Sequence, residues 1–279
     1  MAAHSTNTTR PSSKGHAGAP SAIILAAGMG KRMQSDLPKV LHPVGDPPRP
    51  MVQAVVDACR GAGCRKIVLV VGHKHELVRA AFAGQHDVEF ALQSPQLGTG
   101  HAVQCAQPLF QGIGDRDPVI VLAGDGPLIR AETLALLLDR HRATGASATL
   151  ATSRIADPTG YGRIVRDAQG RFAGIVEHKD CTPAQREIRE INPSYYCFGA
   201  GALFSNLSKV KVNPGSGEYY LTDVPALLLS QGERVEVIDA VPPEDVLSIN
   251  TPEQLAEVDR IFRSRAGAGL AGHAKEASR

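Results

Sequence analysis

Ser21 to His42 reads SAIILAAGMGKRMQSDLPKVLH. The apolar run Ala22 to Ala27 is long enough for a strand buried on both faces and far too short to span a membrane. It breaks into Gly28-Met29-Gly30, where the backbone can take conformations closed to residues with a Cβ. Lys31, Arg32 and Lys39 follow within a dozen residues, and Pro38 holds the segment before Lys39 extended. A buried strand, a glycine turn with bare amides and converging cations together make a seat for a polyphosphate. A basic surface loop behind a core strand would carry the same glycines and charges, so both readings stand on these residues alone. Two commoner phosphate motifs are excluded. A dinucleotide fingerprint needs glycine where Met33 stands; a P-loop needs glycine at Leu25 and Ser or Thr at Arg32.

Outward from this stretch, further apolar runs alternate with helical spacing. Lys66 to Gly72, Val88 to Leu92, Pro118 to Ala123 and Ser147 to Arg154 read as strands. Between them, Pro50 to Ala62, His75 to Phe82, Thr99 to Phe110 and Arg130 to Thr144 read as helices. Strands apolar throughout, alternating with helices, indicate an α/β fold with a mostly parallel sheet covered by helices on both faces. After Arg154 the pattern changes. Arg163 to Val176 reads as a β-hairpin turning at Asp167 to Gly170, and Glu190 to Phe198 is again extended. Leu221 to Gln231 reads as helix, Arg234 to Asp239 as strand and Thr251 to Arg263 as helix. That last helix opens on a capping box of Thr251, Pro252 and Gln254. The expected organisation is a disordered tail at 1–20, a domain at 21–262 with a β-rich lobe at roughly 155–220, and a flexible tail at 263–279.

With 279 residues, 43% of them hydrophobic, the chain can bury a sizeable core. The net charge of +2 misleads, because the segments 1–20 and 263–279 carry +2 and +3 and leave −3 over the body. A nucleic-acid-binding surface is therefore not expected. The five cysteines are odd in number and lack C-x-x-C spacing, so free thiols in a reducing cytoplasm are expected rather than a zinc or redox site. The first twenty residues have no apolar core of a signal peptide, and no membrane association is expected. Hexapeptide repeats are absent.

In open α/β sheets ligands sit at the carboxyl ends of strands. Three such ends look equipped: Ala26 to Lys39, Gln93 to His101 (QSPQLGTGH) and Gly124-Asp125-Gly126-Pro127. A carboxylate between two glycines leaves room for a divalent cation and its waters, although Asp125 could equally form a turn. Converging cations with one carboxylate, and no Ser-His-Asp set, suit displacement at a nucleotide phosphorus by a nucleophile that is already anionic.

The string L-A-A-G-x-G-x-R-M followed by L-P-K-V-L-H resembles the signature of the sugar-phosphate nucleotidyltransferases (pyrophosphorylases). It is most similar to the N-acetylglucosamine-1-phosphate uridylyltransferase half of GlmU-type enzymes, over roughly residues 21–262. The resemblance implies a Rossmann-like sheet with an inserted β-rich sugar-binding lobe. It further implies transfer of a uridylyl group from UTP to N-acetylglucosamine 1-phosphate with Mg²⁺. By resemblance, Leu25, Ala26, Ala27 and Gly28 hold the nucleotide, Arg32 grips the leaving pyrophosphate and Lys39 neutralises the phosphates. Gln93, Gly98 and Thr99 match the element that reads the base, and Asp125 with Asn250 the metal ligands. Gly162, Glu177, Asn192, Glu218 and Tyr220 match sugar-site positions. The chain departs from the family pattern in the proline-rich Gly45 to Arg49, at Ala123 where tyrosine is common, and at Pro193-Ser194, where Thr-Gly is usual. The family's full-length members continue into an acetylating β-helix, which the residues after Arg263 do not resemble. Two other readings remain: a relative using another sugar 1-phosphate or another base, and a non-catalytic regulator that binds nucleotide sugars. The oligomeric state is not legible.

Overall fold

The structure, a computed structural model, describes residues 18–276, with side chains as far as Arg265. Of the tail expected at 1–20, only Gly18 to Pro20 lies in this range; the Gly18 N–H donates to Asp117 Oδ1 at 2.7 Å.

Strand β1 (Ser21–Ala26) leads to a short hairpin of β2 (Pro43–Val44) and β3 (Arg49–Pro50), then helix α1 (Met51–Gly61). Next come β4 (Lys66–Val71), α2 (His75–Ala81), β5 (Val88–Leu92), α3 (Thr99–Ala106), β6 (Pro118–Ala123), α4 (Ala131–Thr144) and β7 (Ala148–Arg154). The remainder is β8 (Gly162–Arg166), β9 (Phe172–Val176), α5 (Pro183–Arg186), β10 (Glu190–Gly199), α6 (Ala200–Leu207), α7 (Val224–Ser230), β11 (Val235–Asp239) and α8 (Pro252–Glu276).

The central sheet runs β11-β7-β10-β6-β1-β4-β5. The pairs β1–β4, β1–β6, β4–β5 and β7–β11 are parallel, while β10 lies antiparallel between β6 and β7. The fold is thus the expected α/β arrangement with a mostly parallel sheet. The β8–β9 hairpin attaches where Ile191 and Asn192 of β10 meet Arg163 and Gly162. The β-rich segment is therefore continuous with the main sheet, since β10 belongs to both.

Alternate residues of β1 feed opposite faces. Ala22 and Ile24 pack with Val52, Val55 and Cys59 of α1, and Ile23 with Ala102 and Val103 of α3. Each Ile or Val among them, removed from water, contributes roughly 1.5–3 kcal/mol. The strand is apolar throughout because both its faces are interior. Among the described residues no helix is long and apolar enough to cross a membrane, and all five cysteines are free thiols.

Three expectations are corrected. The helix expected over Thr99 to Phe110 leaves α geometry after Ala106, where Gln107–Phe110 tightens into a 3-10 turn containing Pro108. The helix expected from Leu221 begins as a 3-10 turn, Leu221–Asp223, before α7. The final helix does not end near Arg263 but continues to Glu276, its alanines favouring helix while Gly267, Gly269 and Gly272 oppose it. The proline-rich Gly45 to Arg49 forms the turn of the β2–β3 hairpin, docked by Gly45 N–H on Asp259 Oδ1 at 2.7 Å.

Candidate active site

The glycine turn after β1 uses its two glycines differently. Gly30 sits at φ 60°, and a Cβ there would lie 2.7 Å from the Lys39 Cβ. Gly28 needs no special φ, and a Cβ on it would meet nothing within 4 Å. Its value is the bare, exposed backbone it presents to a cavity. Among the described residues, no backbone carbonyl accepts from the amides of Gly28, Met29, Gly30 or Lys31, which leaves them free for an anion.

Lys39 enters from the far end of the same loop. Its ammonium donates to Asp125 Oδ2 and, at 3.0 Å, to Asn250 Oδ1. The Lys39 and Asp125 side chains are only 12% and 20% exposed. Asp125 stands at the end of β6, whose loop is tied to the other two segments: Gly124 N–H donates to Leu25 O, and Ile249 N–H to Asp125 O, both at 2.9 Å. Asn250 is held from behind. The Gln254 amide N–H donates to Thr251 Oγ1 at 3.3 Å, as the capping box requires, but the Gln254 side chain accepts from the Asn250 N–H at 2.8 Å, one residue earlier than expected. Three sequence-distant segments thus converge on one ammonium.

Two cavities meet at this point and share Ala123, Asp125, Glu177 and Ser194. The first, about 520 Å³, is reached by Leu25, Ala27, Gly28 and Lys39 on one side and by Gln93, Gly98 and Thr99 on the other. Gly98 has φ 96°, and a Cβ there would sit 2.6 Å from Tyr219 O. The glycine lets residues 97–100 lie against 219–221, joined by Tyr219 N–H to Leu97 O and Gly100 N–H to Tyr219 O, both 2.8 Å. Thr99 Oγ1 accepts from Leu221 N–H at 3.0 Å. Glu218 and Tyr220 reach this cavity too, with Tyr220 OH donating to Ser216 Oγ at 2.7 Å.

The second cavity, about 480 Å³, takes in Arg32, Gly162, Asn192 and Asn250. Arg32 is exposed at its rim, on the 3-10 turn Lys31–Met33. Glu177 Oε1 accepts from Thr222 Oγ1 at 3.1 Å. Burial pushes the Glu177 carboxyl above the usual carboxylate range, reinforced by Asp180 and Asp223 and opposed by Thr222 and Lys179. Gly162 makes room beside it, since a Cβ there would lie 3.0 Å from Ile175 Cγ2 and 3.7 Å from Glu177 Oε2. Asn192 is buried, donating to Tyr196 OH at 2.5 Å and accepting from Ser194 N–H at 3.2 Å.

Of the residues expected at the site, only Ala26 lies away from both cavities; its side chain packs into the core with Ile24 and Val71. Alternation along β1 explains this, because neighbours of an inward residue face the opposite side. Lys179, Gln96 and Tyr161 also line the cavities without having been singled out. Lys179 stands two residues past Glu177, and Gln96 between Gln93 and Gly98, so proximity to the quoted strings was their signal. Tyr161 directly precedes Gly162, and its hydroxyl donates to Val246 O, 85 residues away, at 2.9 Å. Among the described residues no cluster of three or more His, Cys, Asp or Glu could hold a metal.

This geometry coincides with a family pattern: the MobA-like NTP transferase domain matches residues 22–190. The chain belongs to that family. Curated relatives extend the likeness along the chain. It is 48% identical over 244 residues to the bifunctional protein GlmU of Geobacter metallireducens, covering 88% of this chain and 50% of that protein. It is 46% identical over 244 residues to that of Pelobacter propionicus, covering 88% and 52%. The chain therefore spans about half the length of these relatives. Two solved structures share the fold. A Bacillus anthracis chain assigned as a glucose-1-phosphate thymidylyltransferase, in complex with a sucrose, superposes with a TM-score of 0.71 at 20% identity, over 88% of this chain and 96% of that one. A UDP-glucose pyrophosphorylase complexed with UDP-glucose gives 0.68 at 18%, over 88% and 98%. The family match makes this chain an NTP transferase domain, and the solved structures share its fold.

Proposed function

We propose that the chain joins UTP and N-acetylglucosamine 1-phosphate to give UDP-N-acetylglucosamine and pyrophosphate, with Mg²⁺, in the cytoplasm. The observation that carries this is the Lys39 ammonium on Asp125 and Asn250 where the two cavities meet. A polyphosphate reaching from the first cavity toward Arg32 passes that point. The relatives named GlmU support the choice of substrates.

The nucleophile is a phosphate oxygen of the sugar phosphate. It bonds to the α-phosphorus of UTP as the bond from that phosphorus to the bridging oxygen breaks and pyrophosphate departs. The attacking oxygen is already anionic, so no proton moves and no general base is needed. Lys39 neutralises charge on the transferring phosphoryl group, the free amides of Gly28 to Lys31 cradle the phosphates, and Arg32 meets the leaving group. Gln93 and Gly98 face the base; Glu177, which lines both cavities, faces the sugar with Gly162 and Asn192 from the second cavity, and Glu218 and Tyr220 approach it from the first.

The donor set fits a hard divalent cation. The Asp125 carboxylate and the Asn250 carbonyl both present oxygen to the same ammonium, so a cation already sits between them, and Mg²⁺ takes few protein ligands beside phosphates and water. Held by Asp125 and Asn250, Mg²⁺ would supply Lewis acidity toward the phosphates.

The test is pyrophosphate release, crossing four nucleoside triphosphates with a panel of sugar 1-phosphates. Turnover confined to UTP and N-acetylglucosamine 1-phosphate is the expected result, with Asp125→Ala needing much more Mg²⁺ for half-maximal rate. A different preferred pair would move the substrate and keep the chemistry. This second reading draws on Ser194, which stands at φ 67° beside Asn192 where the family pattern has glycine. Silence across the panel with UDP-sugar still binding would leave a nucleotide-sugar-binding regulator instead.

A further inference from the structure

Behind Gln93, away from the cavity, lies a chain of contacts that the transfer reaction does not itself require. Gln93 is 5% exposed, and its Nε2 lies 2.9 Å from Gly98 O and 3.3 Å from His101 Nδ1. One turn along α3, Cys105 Sγ lies 3.7 Å from His101 Nε2. His101 does not line the cavity; Gln93 does.

We propose that His101 is the positioning residue that fixes the Gln93 amide with its oxygen toward the ligand, and thereby selects a base whose facing edge carries an N–H. The assignment follows from what each atom can do. Gly98 O only accepts, so the amide nitrogen of Gln93 must lie against it. The second amide hydrogen then points at His101 Nδ1, which must accept it. His101 is therefore neutral with its proton on Nε2, and Cys105 Sγ accepts from that N–H. With both amide hydrogens committed, the group left for the ligand is Oε1, an acceptor. It complements the N3–H of uracil and opposes the bare N3 lone pair of cytosine. A site built around a directed hydrogen bond rejects the base that cannot complete it more strongly than an apolar pocket could.

This inference rests on the uridylyl reading and adds the group that enforces it. The experiment measures kcat and KM for UTP and CTP with the full chain, in wild type and in His101→Asn, His101→Gln and His101→Leu. Asparagine places an acceptor where Nδ1 stands; glutamine extends past it, and leucine has none. Losing one net hydrogen bond corresponds to about a fivefold change. The expected result is a fall of that order in the UTP-over-CTP ratio for Gln and Leu. It should come through KM for UTP with kcat within about twofold, and Asn should hold the wild-type ratio. An unchanged ratio in Gln, or Asn falling together with Gln, overturns the proposal, and this pair decides even if the Leu variant fails to fold. Should wild type itself show no preference for UTP, the base assignment falls separately. The same variants are then compared on the nucleotide that is used, where an unchanged KM in Gln overturns the role of His101 as well.

Discussion

Lys39 is the residue on which the site closes. Its ammonium is mostly buried between a carboxylate and a carbonyl, so removing it strands Asp125 and, in the proposed reaction, deletes a cation from the reacting phosphates. Lys39→Ala should lower turnover by about a hundredfold or more, roughly 2.7 kcal/mol of transition-state stabilisation, read as pyrophosphate release at saturating substrate. Ser194 illustrates the opposite kind of residue, one retained against its own conformational preference. At φ 67° it occupies the left-handed region that a side chain with Cβ resists. Ser194→Gly should raise stability by up to about 1 kcal/mol, measured by urea denaturation; a loss of stability would mean that its contacts outweigh the backbone strain. The sequence marked both residues, Lys39 through its string and Ser194 as a departure. The direction of Gln93 was not legible, because it depends on His101 standing behind it, and proximity along a helix carries no label for which atom faces which.

At the scale of elements, the loop between β5 and α3 shows how one backbone conformation assembles a site. Gly98 lets this loop lie against residues 219–221, which bring Glu218 and Tyr220 to the cavity. Gly98→Ala drives a methyl into Tyr219 O and imposes a positive φ on a side chain. The variant should lose about 1–3 kcal/mol of stability and weaken nucleotide binding, checked by thermal melting with and without UTP. Strands β1, β4 and β6 were readable because burial on both faces leaves an almost unbroken apolar run. The direction of β10 was not, since an apolar strand reads alike in either direction and only its partners β6 and β7 settle it. Likewise the length of α8 was missed because Gly and Ala after Arg265 read as a tail, although alanine favours helix.

For the whole molecule, the two cores on either side of the sheet set its response to acid. His141 on α4 is buried against Thr149 of β7, with Nδ1 3.1 Å from Oγ1. Burial, with Arg142 nearby, lowers its pKa to about 4. Above about pH 6.5 the imidazole is neutral whether folded or not; below it, the unfolded chain takes up a proton that the folded chain refuses until about pH 4. Stability contributed by the neutral imidazole is therefore lost as pH falls through this window, by about 2 kcal/mol at pH 5. Urea midpoints at pH 7 and 5 should fall further for wild type than for His141→Asn, which has no group to protonate; parallel losses would place the acid sensitivity elsewhere. The end of the chain matters in a different way. Asp245, fully buried, is gripped by Arg130 from α4's threshold and by Arg265 of α8, while its own carbonyl accepts from Tyr195 OH of β10 at 3.0 Å. Five residues on lies Asn250. An expression boundary drawn at residue 262 would cut away Arg265 and leave that carboxylate with half its counter-charge, so a shortened protein needs to retain at least Arg265 to keep the wall behind Asn250 intact.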